Sequence, residues 1–373
     1  MGFIRNTIQN QCPLSLYRIL CEAAVFQITD PRDKIYAILG LVQLESIDER
    51  SGNFMSATYD IKPDYRKSPR DVFIEATKAV ILRDETLDIC GLAGLAHMSV
   101  AETLVKNLPS WVPDFGVYTE AFVPMSTPGL CTDFDAAGDS LPSCAWPLDG
   151  RPDVMELSAH LVDSVTLVAQ QTNESHPTAC LAEWTKVASS VGSRYIAGMS
   201  TVSAFWRTCT ALRTSVSFTS RELFMGFYTI LNQCTSDGRL HSEEVAALLD
   251  NPLARQIRLA FQLNRPLPPR PLFEAIADDA INAFLATVSG QRRFFVTRQG
   301  YIGLGPAETQ CGDQVHILRG ARLPFLLRET RSPIHPQVDG AAYRMVGEAY
   351  VHGITRGEAV PGAKTGWEKI FIY

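Results

Sequence analysis

Between Arg293 and Tyr373 the chain is cut into short apolar runs by glycine, proline and charged turns, and no other feature limits the fold as much. Residues 293–297 and 301–304 flank Arg298-Gln299-Gly300 as two arms flank a hairpin loop, with glycine supplying the freedom the reversal needs. Further strands are expected at 314–318, 324–327, 343–346, 348–352 and 369–373. Strands this short satisfy their backbone polar groups only by pairing with many neighbours. The spacing therefore predicts a small β-barrel or curled antiparallel sheet over 289–373.

Upstream the apolar period changes. Leu16, Ile19, Leu20 and Ala23 recur at helical spacing. Thr29-Asp30-Pro31 then offers an N-cap and a first-turn proline, predicting a second helix from Pro31 to Leu39 that Gly40 ends. Ser68-Pro69-Arg70-Asp71 caps a third helix whose stripe is Val72, Ala76, Ala79 and Val80. Residues 108–144 are rich in proline, glycine, serine and threonine and read as a long surface excursion anchored by Trp111. Alternation with β-branched residues over 154–168 predicts one or two strands. Helical patterns then run over 181–286, broken by the proline-rich stretch 264–271. A chain of 373 residues exceeds one ordinary domain. The expected class is α+β: helices and long loops in 1–150, a mainly helical 151–288, and the β-rich 289–373.

Charge and cysteine usage exclude several functions. The formal net charge is -6 and no cluster of Lys and Arg stands out, which argues against nucleic acid as a partner. Nine cysteines, an odd number and widely spaced, read as reduced thiols. The first residues lack the apolar core of a signal peptide, and no apolar run is long enough to span a bilayer. Asn6 stands where a myristoylation signal wants a hydroxyl. A cytoplasmic protein without membrane contact is expected.

The sequence holds no complete catalytic motif, so whether the chain is an enzyme stays open, and no catalytic, cofactor-binding or metal residue is assigned. The seven histidines lack ligand spacing, so neither structural zinc nor another cofactor is expected. Gly303-x-Gly305-Pro306 resembles part of a phosphate-cradling loop, but a strand follows it where a helix would be needed, which favours a β-turn. His352 could pair with Glu348 as a general base, yet positions four apart on a strand lie far from each other, which favours a structural role. Asp30-Pro31-Arg32-Asp33-Lys34 carries two carboxylates and two cations, best explained by capping and local ion pairs. Arg265-x-x-Pro268-x-x-Pro271 fits a polyproline recognition motif but reads as a linker. Cys209 beside Arg207 reads as a buried thiol.

Thr29 to Leu41, TDPRDKIYAILGL, resembles the segment closing the HET domain of fungal heterokaryon incompatibility proteins. Asp64-Tyr65 with the following helix, Leu108-Pro109-Ser110-Trp111-Val112-Pro113-Asp114, Phe205-Trp206-Arg207-Thr208 and the C-terminal strands are similar to the same family in the same order. The resemblance implies a TIR-like α/β region well ahead of Asp30. Only 29 residues precede Asp30, so the reading is of a family member lacking most of that region, with 1–150 as the remnant C-terminal part of the HET domain. It implies a protein partner and a role in self/non-self incompatibility or its regulation. The alternative is an enzyme of fungal secondary metabolism that binds an apolar small molecule between helices and sheet, with Glu348, His352 or Asp114 as acid–base groups.

Overall fold

The structure is a computed structural model that describes residues 15–23, 26–42, 45–47, 54–56, 59–95, 105–116, 125, 134–147, 151–170, 177–210, 292–330, 341–360 and 366–373. Helices α1 (Leu16–Ala23) and α2 (Asp33–Tyr36) come first, followed by a 3-10 turn at Leu39–Leu41 and the small hairpin β1 (Glu45–Ile47) and β2 (Phe54–Ser56). The long helix α3 (Pro69–Asp84) and a 3-10 helix at Asp88–Leu95 complete the N-terminal group. Next come β3 (Cys144–Ala145) and the 14-residue β4 (Met155–Val168), then α4 (Pro177–Ala188) and α5 (Thr201–Cys209). The C-terminal strands are β5 (Arg293–Thr297), β6 (Ile302–Gly305), β7 (Gln314–Leu318), β8 (Phe325–Glu329), β9 (Ala341–Glu348), β10 (Tyr350–Val351) and β11 (Glu368–Ile372). Of the helical stretch expected over 181–286, α4 and α5 account for the described part; 211–291, including the Pro-rich motif, lies outside the described residues.

Ser68 caps α3 as expected, its Oγ accepting the Asp71 N–H at 3.2 Å, with Pro69 in the first turn. The helix expected from Pro31 to Leu39 is shorter. Asp30 caps the turn that leads into it, its Oδ1 accepting the N–H of Arg32 and its carbonyl the N–H of Asp33, both at 3.0 Å, while the regular helix spans only Asp33–Tyr36. Gly40 lies inside the 3-10 turn and ends nothing. The stretch expected to be a surface excursion is instead partly core, because Trp111, Val112, Asp114 and Phe115 are buried and Trp111 Nε1 donates to the Asp153 carbonyl at 2.9 Å.

One long strand organises the sheet. Residues 155–159 of β4 pair antiparallel with β11, residues 159–164 with β7, and residues 165–168 with β5. Ala159 carries both Glu368 and Leu318 as partners, one on each edge. β11 pairs β9, β9 pairs β8 and β8 pairs β7, so five ladders run from β4 round to β4 again. Register shifts at Leu161/Asp163 and Leu326/Leu327 supply the local bending such a circuit needs. β5, β6 and β10 extend from the far end of β4 as an antiparallel wing. The expected antiparallel sheet is in fact mixed, since β11 runs parallel to β9. Parallel neighbours need a crossover of a dozen or more residues, and 19 residues separate the end of β9 from the start of β11 in the chain.

Both faces are covered. Met155, Leu157 and Ala159 alternate on β4 and join Phe325 and Leu327, Tyr343 and Met345, and Ile370 and Ile372 in one core with α1, α3 and Trp111. Phe294, Val296, Ile302 and Leu304 of the wing pack on α4 and α5, with Trp184 stacked on Phe294 at 5.7 Å and Phe205 edge-on to it at 5.6 Å. A third cluster, with Val165, Phe295, Val315, Leu326 and Val346, connects ring and wing.

Gly303 and Gly305 stand within β6, so the segment is neither a phosphate loop nor the expected turn. Gly303 is directly opposite Phe295, and a Cβ there would lie 2.5 Å from the Phe295 ring and from the Tyr350 carbonyl oxygen. Overpacking of this kind costs roughly 1–3 kcal/mol. Gly303→Ala is therefore expected to lower stability to denaturant by about that amount, with an unchanged m-value. A loss below a few tenths of a kcal/mol would show that the Phe295 ring is free to move aside.

Candidate functional site

The most family-like segment is wired inward. Both carboxylate oxygens of Asp30 meet the Arg32 guanidinium, at 3.0 and 2.7 Å. Arg32 also donates to the Tyr65 carbonyl and, at 3.0 Å, to the Lys67 carbonyl, and lies 5.2 Å from the Tyr65 ring centroid. The Tyr65 hydroxyl donates to Asp33, and Tyr36 donates to the Asp64 carbonyl at 3.2 Å. Lys34 is buried and donates to the carbonyls of Ala23 (2.7 Å) and Phe26 (2.6 Å) at the end of α1; burial pushes its ammonium down to about 8. Asp30 to Lys34 thus staples α1, α2 and the 64–67 stretch together, as the reading of local ion pairs expected.

Glu348 and His352 do not meet as an acid–base pair. Glu348 closes β9 and accepts from Arg292 Nη2 at 2.9 Å and from the Met125 N–H, while Arg292 Nη1 donates to the Glu348 carbonyl at 3.1 Å. Both side chains are 1% exposed, and burial draws the guanidinium below its usual range against the pull of Glu348. His352 lies beyond β10. Its Nδ1 is 2.8 Å from the Tyr350 hydroxyl and its Nε2 3.1 Å from Met199 Sδ. The backbone there is held by Tyr195, whose hydroxyl donates to the His352 carbonyl at 2.7 Å and accepts the Ile302 N–H at 3.1 Å. Burial, then the nearby Arg207 and Arg356 charges, push the imidazole down to about 4. Cys209 is fully buried with its thiol pushed well up by burial, the wrong direction for a nucleophile.

Asp114 lies elsewhere, in the wall of a cavity of about 380 Å³ between the N-terminal helices and the sheet. Arg70 of α3, residues 105–110, Val112, Asp153, Arg344 of β9 and Tyr373 also line it. Asp114 is buried and accepts the backbone N–H groups of Val105 (3.2 Å) and Gly116 (3.0 Å), which fixes the turn carrying the 105–110 wall. Ser110 donates to the Tyr373 carbonyl and accepts the Met345 N–H at 2.9 Å, so its hydroxyl joins strands and is not poised as a nucleophile. Asp153 is held below its usual range: partial burial pushes it up, but the Arg151 hydrogen bonds at 3.0 and 3.1 Å, its own backbone N–H and the charges of Arg151 and Arg70 together outweigh that push. Asn107 adopts a left-handed backbone (φ 60) and presents its carbonyl to Arg70 Nε at 2.9 Å. Among the described residues no three or more His, Cys, Asp or Glu side chains converge as metal ligands. Sequence reasoning missed the roles of Arg292, Arg70 and Arg344, because nothing near each in the chain announces a partner tens of residues away.

Two measurements follow from this wiring. Removing one member of a buried ion pair strands the other charge and costs roughly 3–5 kcal/mol. Glu348→Gln and Arg292→Met are each expected to lose about that much, and the double variant less than the sum; additive losses would mean the pair is not coupled. On pH, His352 and His316 both fold with values of about 4 against 6.5, so the unfolded chain binds more protons between those limits. Their contribution is complete above pH 6.5 and is lost as pH falls through 4. Asp88, raised to about 6 mainly by burial, acts in the opposite direction between 6 and 3.8. Asp84, also raised by burial, acts with Asp88. His352→Gln removes one of the two histidine contributions and should make the melting temperature fall less between pH 6.5 and 4. An unchanged slope would contradict a buried neutral His352.

Comparison with known families places these features. Residues 273–366 match the family model of the Het-6 beta-barrel domain, a span that contains β5 to β10 and leaves β4 and β11 outside. Over 73 residues the chain is 36% identical to heterokaryon incompatibility protein 6, OR allele, of Neurospora crassa, a stretch covering 20% of this chain and about a tenth of that relative's length. No solved structure matches. Two comparisons thus support a likeness to fungal heterokaryon incompatibility proteins, the family model over 273–366 and the relative over a fifth of the chain.

Proposed function

We propose that this chain acts by protein–protein recognition in fungal self/non-self incompatibility or its regulation, in the cytoplasm, with the ring β4–β11–β9–β8–β7 serving as a small barrel scaffold. One observation carries this reading: the segments that resemble the family are spent on holding the molecule together. Asp30 to Lys34 staples helices, Trp111 and Asp114 fix a loop, Phe205 and Trp206 are core, and Glu348 is sealed with Arg292. Residues used this way specify a rigid surface. The likeness to an incompatibility protein supplies the process. We further read β4 and 289–373 as one folding unit, with the N-terminal helices packed on it.

The cavity supports a second reading, an enzyme of secondary metabolism acting on an apolar small molecule, although of the three expected acid–base groups only Asp114 reaches its wall.

Expression in a filamentous fungus tests the first reading. Strains carrying this chain are expected to form a growth barrier, with death of fusion cells, against some tester strains and not others, without a change in metabolite profile. Fusion that stays compatible with every tester, together with a changed metabolite profile, would move the account to the second reading.

A further inference from the structure

We infer that the cavity beside Arg70 is a binding site for a small monocarboxylate with an apolar body. Arg70 is anchored through Nε to the Asn107 carbonyl at 2.9 Å, which orients its guanidinium. Its two terminal nitrogens lie 3.7 Å from Asp71 and 3.8 Å from Asp153, within ion-pair range but beyond hydrogen-bond distance. A fork held at its base with its terminal donors unspent among the described residues matches a carboxylate, which guanidinium binds through two parallel hydrogen bonds. Leu108, Pro109 and Val112 give the cavity an apolar wall for the rest of the ligand. A volume of about 380 Å³ suits a small molecule. Lys106 and Arg344 also line the cavity, but Asp71 and Asp153 stand 3.7 and 3.8 Å from the Arg70 fork itself, so a second negative charge on a ligand held there would be repelled, which selects a carboxylate over a phosphate. Arg344 is itself tied to Glu308 at 3.0 Å. The inference goes beyond the recognition reading and stands or falls separately from it.

Calorimetric titration of the full chain with octanoate and phenylbutyrate, their amides, and phenyl phosphate tests it. Saturable binding of a carboxylate is expected, at least about tenfold weaker for its amide and for the phosphate, as loss of a charged hydrogen-bonded pair implies. Arg70→Gln should weaken carboxylate binding by at least about tenfold and Arg70→Lys by less, since lysine keeps the charge and loses the fork. No carboxylate binding by the folded wild type, equal affinity for the amide, tighter binding of phenyl phosphate, or unchanged affinity in Arg70→Gln would each overturn it. Should Arg70→Gln fail to melt cooperatively, Arg70→Lys decides: an affinity equal to wild type overturns the inference.

Discussion

The structure depends on β4 having two usable edges along its length. A strand of 14 residues takes β11 on one edge and β7 on the other where both meet at Ala159, then passes a register shift and receives β5. Without it the chain from β7 to β9 would be an open sheet with β11 beside it, presenting unpaired edges that sheets ordinarily have to protect. With it the ladder returns on itself, and the alternating Met155, Leu157 and Ala159 deliver an apolar row to the core shared with α1 and α3. Closure and helix docking therefore draw on the same few residues.

Buried charge plays a secondary but consistent part. Arg292 with Glu348 joins the start of β5 to the end of β9, and Arg328 binds Asp313 at 2.8 and 3.1 Å across the β7–β8 hairpin. Lys34 and Arg32 do the same for the helices, binding the backbone carbonyls of Ala23 and Lys67. Such groups add little net stability compared with an apolar packing of similar volume, but they penalise every arrangement in which their partners are missing.

The C-terminal strands were legible because each is bounded locally: Gly300 turns the β5–β6 hairpin and Gly320 precedes β8, both at positive φ. Ser68 announced α3 for the same reason. What stayed hidden is what depends on distance along the chain. The partnership of residue 159 with 318 and 368, the parallel entry of β11, and the pairing of Arg292 with Glu348 leave no local mark. Asp30 caps its turn as read, but the regular helix beyond it stops at Tyr36, before the Leu39 that the apolar spacing suggested. The cavity draws on α3, the 105–114 stretch, Asp153 and β9, so no single window contains it.

Native-state hydrogen exchange measured residue by residue addresses the central claim that β4 closes the ring. If the ring is one cooperative unit, amides of β4 between 155 and 164 open with the same free energy as those of β8 and β9, near the global value. Exchange of β4 at a distinctly lower free energy, with β7 to β9 still protected, would show that the sheet stands without it and that the closed circuit is not what holds this protein together.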